Sequence, residues 1–133
     1  MSITLTVGGV VVQLPPDLLW SDELAWHTVG QSFTRSVTGA AIVQTQAAVG
    51  GRPITLAPPV EMASWIARSV LEQLQAWADV PGKVMTLRLR GVDRLVIWRH
   101  HEGPDVLQAR RVMPLADVEP DDAYTATLKL MEI

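Results

Sequence analysis

His100-His101-Glu102 is the tightest cluster of metal-ligating residue types in this 133-residue sequence, and chemistry is sought there first. Its spacing argues against a shared ion. Adjacent residues on a strand point to opposite faces, so the two imidazoles cannot hold one metal without a bulge. The third histidine, His27, is distant in sequence, and the cluster reads as a polar turn after a strand. The acidic run Asp117, Glu119, Asp121 and Asp122 around Pro120 offers the oxygen ligands that calcium takes. It lacks the ordered ligand series, central glycine and closing glutamate of an EF-hand loop, and reads as a solvated loop. There is no Gly-x-Ser-x-Gly elbow for a serine nucleophile, and no glycine-rich loop ends in the Lys-Ser/Thr pair that cradles phosphates. The expectation is a chain with no catalytic, cofactor-binding or metal-binding set.

Cysteine is absent, which removes disulfides, thiolate nucleophiles, zinc ribbons and iron–sulfur clusters; asparagine is absent too, so there is no glycosylation sequon. A net charge of -3 lacks the broad positive footprint with which a non-specific nucleic-acid binder displaces counterions. Hydrophobic residues at 48% and charged residues at 19% exclude the disordered and collagenous classes. A chain of this length buries roughly two-thirds of its unfolded surface and folds as one domain over residues 1–133. The start has neither the basic region nor the apolar stretch of a signal peptide, and no apolar run approaches the ~20 residues of a membrane span. A soluble protein made in the cytoplasm, with no direct nucleic-acid or membrane partner, is expected.

Charge and aromatic residues are unevenly placed. Seven basic residues outnumber three acidic ones between 83 and 111, while residues 117–133 hold five acids against Lys129. Part of this is the polar outer face that any half-buried strand needs. The functional reading is electrostatic complementarity between copies or neighbouring subunits, through Arg88, Arg90, Arg94, Arg99, Arg110 and Arg111. Tryptophan supplies five of the seven aromatic residues, and it is enriched at interfaces as well as in cores. Trp20 and Trp26 bracket the acidic turn Ser21-Asp22-Glu23 and are the expected interface anchors. Trp77 is core by helical phase. Trp98 shares a strand face with Arg94 and Val96, and is covered only if that face is the buried one.

The elements that position these residues are mostly extended. Ile3–Val7 and Val10–Leu14 flank Gly8-Gly9 as a short hairpin, and Ser32–Val37 with Ala40–Thr45 resembles another around Thr38-Gly39. Arg52–Leu56 is extended and closed by Pro58-Pro59. Val70, Leu71, Leu74, Trp77 and Ala78 share one helical face, and Ser69 with Glu72 fits a capping box, so a helix near 69–79 is expected, stopped by Pro81-Gly82. A start near Glu61 would fit the same stripe through Met62 and Ile66; the later start is preferred. Val84–Arg90, Arg94–Arg99, Val106–Met113 and Ala123–Met131 read as strands, with Gly91-Val92-Asp93 as a turn. The predicted fold is α+β and β-rich: antiparallel sheets, as a sandwich or partly open barrel, with one helix packed on a sheet.

The order of the pieces carries a resemblance. Leu14-Pro-x-Asp-Leu-x-Trp20, Arg52-Pro-Ile-Thr-Leu56, Trp65 before a short helix, Met85-Thr-Leu-x-Leu89-x-Gly91, Trp98-Arg-His100, Ala109-x-x-Val-x-Pro114 and Tyr124-x-x-x-Leu128-x-Leu130-Met-Glu132 follow one another over most of the chain. Together they resemble small tail or baseplate proteins of long-tailed bacteriophages, and the Pro-Ile-Thr-Leu segment before helix and hairpin is similar to distal-tail proteins. The resemblance implies a β-rich, one-helix domain forming a ring at the end of the tail tube. It also implies contacts with other copies of itself, the tail tube and the baseplate hub, and a place in the virion tail after assembly in the host cytoplasm. At this length there is no room for the additional carbohydrate-binding domain that members of the family often carry. A small ligand-binding or regulatory β-domain is the alternative, and a hydrolase with an unrecognised site a weaker third.

Overall fold

The computed structural model describes residues 2–48, 50–103, 105–113 and 117–133; Pro114 of the motif above lies outside them. Strand β1 (Ile3–Val7) turns through Gly8 and Gly9, both at positive φ, into β2 (Val10–Leu14), with Val7 opposite Val10. Glycine suits that tight primed turn because it carries no Cβ to clash there. A two-residue strand, β3 (Leu19–Trp20), leads to the hairpin β4 (Val29–Arg35) and β5 (Ala41–Ala47). Then come β6 (Arg52–Ala57), β7 (Ile66–Ala67) and helix α1 (Arg68–Ala78), followed by β8 (Met85–Leu89) and β9 (Val92–Trp98). A 3-10 turn at His100–Glu102, β10 (Leu107–Arg111) and the ten-residue β11 (Ala123–Glu132) complete the chain.

Nine of these strands form one antiparallel sheet in the order β2-β1-β8-β9-β11-β6-β3, with β10 and β7 also paired to β11. Strand β11 organises it. Its first half lies between β10 and β7, its second half between β9 and β6. Along β11, Tyr124, Ala126, Leu128 and Leu130 are buried while Thr125, Thr127 and Lys129 are not, the alternation expected of a sheet with one covered face. Leu5 of β1, Leu56 of β6, Leu87 of β8 and Leu130 of β11 belong to one buried cluster with Leu74 of α1, so the sheet curls around a single core that the helix closes. This is the β-rich, one-helix architecture that the sequence patterning predicts. Pro53 is tolerated in β6 because β3 pairs only with Leu56 and Ala57, leaving no second neighbour beside Pro53 to need its missing N–H.

Helix α1 buries Leu71, Leu74, Trp77 and Ala78, four of the five residues of the predicted face, leaves Val70 half-buried, and begins within one residue of the predicted start. The predicted capping box does not form. Ala67 holds the N-cap position without a side-chain cap, and Ser69 is exposed in the first turn. The backbone N–H groups of Arg68 and Ser69 donate instead to the carbonyls of Asp122 and Pro120, each at 2.9 Å. Those carbonyls satisfy the orphan donors that a capping side chain would otherwise take. Glu72 pairs with the Arg68 guanidinium at 3.0 Å, while Arg68 also donates to the Tyr124 hydroxyl, the contact that most raises its pKa. The turn between β8 and β9 also differs from expectation: Arg90 and Gly91, both at positive φ, make it, and Val92 and Asp93 already belong to β9.

Candidate functional site

The hairpin β4–β5 stands apart from the sheet. It forms a separate two-stranded ribbon, and every residue in both strands is exposed. The strands pair from Val29 opposite Ala47 to Arg35 opposite Ala41; β4 starts three residues before and ends two before the predicted strand, and β5 starts one residue and ends two residues after it. That register puts Val29, Gln31, Phe33 and Arg35 on one face with Ala41, Val43, Thr45 and Ala47, and Gly30, Ser32 and Thr34 on the other with Ile42, Gln44 and Gln46. Phe33 is 54% and Val29 61% exposed, large apolar side chains left open on a face they share with the polar Gln31, Thr45 and Arg35. The Arg35 guanidinium lies 5.3 Å from the Phe33 ring centre, and Arg35 is the one charged residue of the two strands. At the tip, Ser36 N–H donates to Ala40 O and Ser36 Oγ accepts from Ala40 N–H, while Gly39 takes the positive φ that the tight turn requires. A two-stranded hairpin alone is marginally stable in water. An uncovered ribbon of this length, with Val29, Phe33 and Val43 open to solvent, therefore suits an element completed by a partner.

The root of the hairpin is clamped to the body. Asp22 accepts from Thr55 N–H at 2.9 Å and from the Thr55 hydroxyl at 2.8 Å, and Thr55 Oγ1 in turn accepts from Arg99 Nη2 at 2.9 Å. Arg99 is 6% exposed and lies 3.5 Å from Asp22 Oδ2 and 2.9 Å from Glu102 Oε2. Glu23 pairs with Arg90, and its carbonyl accepts from Arg52 Nη2. The acidic turn thus fastens the start of the projecting segment to β6, the β8–β9 turn and the end of β9.

These contacts revise the expected interface set. Trp20 is a core residue, 8% exposed, with its indole against the guanidiniums of Arg52 at 4.6 Å and Arg94 at 4.9 Å. A ring so enclosed is not a surface anchor. Trp26 is half-buried on the way to the hairpin. The arginines form no single pole, because carboxylates of the same chain hold five of the six. Arg88 meets Asp93, Arg90 meets Glu23, Arg94 meets Glu132, Arg99 meets Asp22 and Glu102, and Arg110 meets Glu61. Arg111 lies 5.9 Å from the Tyr124 ring centre. Counting charge along the sequence misses these pairs because most partners come from distant segments. Of the six, Arg88, Arg90, Arg110 and Arg111 remain exposed, whereas Arg94 faces the core side of β9 and Arg99 is buried. Trp98 proves buried together with Val96, which settles the face of β9 that the core takes.

His100 and His101 lie in the 3-10 turn; His100 Nε2 is 3.1 Å from Ala78 O, at the end of α1, and His101 Nε2 is 3.8 Å from Glu102. Ligand oxygens of Glu119, Asp121 and Asp122 lie within 4.8 Å of one another, and Asp122 Oδ2 accepts from Glu119 N–H. Sequence reasoning passed over a shallow apolar groove of about 150 Å³ walled by Trp65, Met113 and Tyr124. Met62 and Ser64, beside Trp65, both take positive φ, a conformation costly for residues with a side chain. No periodic signal announces this loop.

No family model matches the chain, and neither does any curated protein or solved structure. The functional reading therefore rests on residues and geometry.

Proposed function

We propose that this chain is a non-enzymatic virion protein, a ring-forming subunit at the distal end of a phage tail that joins the tail tube to the baseplate hub. The observation that carries this reading is the β4–β5 ribbon, seven residues a side, with Val29, Phe33 and Val43 uncovered on one face and its root fixed by Asp22, Thr55 and Arg99. A ribbon of this kind contributes to assembly when a neighbour covers Val29, Phe33 and Val43, each worth about 1.5–3 kcal/mol on full burial. A second copy is the simplest neighbour. Projecting hairpin and receiving surface are different patches, so the contact is heterologous and closes into a ring when the rotation allows. The order of sequence motifs supports placing that ring at the tail tip. Isolated protein can remain monomeric under this reading, since association must overcome lost translational and rotational entropy.

The test is made in intact particles. Labelled protein at the tail tip, in copy numbers that are multiples of three or six, is the expected outcome. Absence from purified virions, or turnover of a small-molecule substrate, overturns the proposal.

A further inference from the structure

The nine-stranded sheet begins at β2, which has β1 as its one neighbour, and ends at β3. An edge strand presents unpaired N–H and C=O groups that template the addition of another strand, and proteins blunt such edges with charge, proline or very short strands. Most edges here are blunted. Strand β10 ends in Arg110 and Arg111, the part of β6 that β3 leaves unpaired carries Arg52 and Pro53, β3 and β7 are two residues long, and β4 carries Arg35. Of the edge strands longer than two residues, β2 and β5 alone have neither a charged residue nor a proline. Both keep main-chain groups free. The two-residue turn at Gly8-Gly9 makes Val7 and Val10 a hydrogen-bonded pair, so Val10, Val12 and Leu14 bond to β1 while the N–H and C=O of Val11 and Gln13 point away from it. In the hairpin, Ser36 N–H donates to Ala40 O and Ala48 N–H to Thr28 O, and the same alternation turns the groups of Ala41, Val43 and Thr45 outward from β5. Neither set has a backbone partner among the described residues.

We propose that β5 of one copy adds antiparallel to β2 of a second copy, which makes the edge of β2 the receiving surface for the hairpin; the inference rests on the reading that a second copy completes the ribbon. The chain itself supplies both halves of the contact. Its one unblunted sheet edge and its one unblunted hairpin edge lie apart, because the hairpin sits in sequence between β3 and β6, the last two strands of the sheet order, whereas β2 is the first. Donor and acceptor are therefore different patches, and the contact runs head to tail from copy to copy. With Val11 opposite Val43, Val12 falls opposite Ile42, so both exposed β-branched residues of β5 gain a β-branched neighbour on their own face. The outward N–H and C=O groups of the two strands pair in the same step. Main-chain hydrogen bonds supply the affinity of such an addition, and the alternate side chains its selectivity.

Two-dimensional and diffusion NMR of the full chain, from about 10 μM to about 2 mM, test this, with a dissociation constant on the order of 1 mM expected for one short strand pair. The Val11, Gln13, Val43 and Thr45 amides should shift with concentration while diffusion slows. Val11→Pro and Val43→Pro each remove an N–H that faces away from its own partner strand, a place where an edge strand tolerates proline. Retained spectral dispersion verifies their fold; where it is lost, Val11→Lys and Val43→Lys, at positions 56% and 51% exposed, carry the same scheme through charge at the edge. Each variant alone should stay monomeric at about 2 mM, since each lacks one half of the contact. An equal mixture should form dimers and nothing larger, because one donor and one acceptor remain between the two chains. Three results overturn the proposal: a native chain still monomeric at the highest concentration, self-association of Val43→Pro equal to that of the native chain, or a mixture that stays monomeric. Failure here leaves the tail-tip reading standing with another receiving surface, whereas absence from virions leaves the strand pairing intact, so the two fail separately.

Discussion

Arg99 and Asp22 meet 3.5 Å apart, bridged by the Thr55 hydroxyl, and through them the last residue before the 3-10 turn holds the segment from which the hairpin grows. The guanidinium is buried at 6% exposure while the carboxylate remains partly open to solvent. Removing Asp22 strips Arg99 of one of two carboxylates and leaves the Thr55 N–H and hydroxyl without their acceptor. Asp22→Ala should therefore destabilise the fold by about 1–3 kcal/mol, below the cost of orphaning a fully buried ion because Glu102 remains. Chemical denaturation measures this, and a double-mutant cycle with Arg99→Met should show coupling of about 0.5–3 kcal/mol. Additive losses would mean that the two groups do not interact in solution.

Trp77 and Ser69 make opposite predictions on one helix. Trp77→Ala removes a buried indole from the face that closes the core and should cost about 3–5 kcal/mol. Ser69→Ala should change stability by less than about 0.5 kcal/mol, since Ser69 is exposed and caps nothing. A loss near 1 kcal/mol at Ser69 would restore the capping box.

The contrast between those two residues marks where the sequence is legible. Period-two alternation in β11 and the helical stripe of α1 are local signals, each set by the one face an element must bury, and both are correct as read. The helix start depends on carbonyls of Pro120 and Asp122, which no local pattern near Ser69 announces. Trp20 is buried by pairing with Leu56, a two-residue strand too short for periodicity. The hairpin strands are visible from Phe33 and Val43 alternating with polar neighbours. Their isolation is not, because an uncovered amphipathic ribbon and a half-buried strand share the same pattern.

Trp20 separates packing from hydrogen bonding. Its Nε1 is buried without a partner among the described residues, as are Arg52 Nε and Arg94 Nε, while its ring packs on both guanidiniums. Trp20→Phe gives up no protein hydrogen bond and keeps an aromatic face for the two arginines, so it should cost well under the roughly 3–5 kcal/mol expected for Trp20→Ala. Thermal or chemical unfolding of both variants checks the ratio. Equal losses would show that the indole nitrogen is bonded after all, for instance to an ordered water.

The hairpin yields the prediction most closely tied to function. Its apolar side chains contribute little to the isolated fold, because Val29, Phe33 and Val43 are exposed there. Phe33→Ser together with Val43→Ser should therefore shift unfolding free energy by no more than about 0.5 kcal/mol per site. In native-state hydrogen exchange of the free chain, β4 and β5 amides should open at a small fraction of the global free energy, while those of β8, β9 and β11 approach it. In assembled particles the same hairpin amides should become protected if a neighbour covers the ribbon, and the double variant should fail to incorporate. Protection in the free monomer equal to that of β11 would show a hairpin already stabilised within its own chain. Normal incorporation of the variant would remove the ribbon from the assembly contact and leave the proposed ring to another surface.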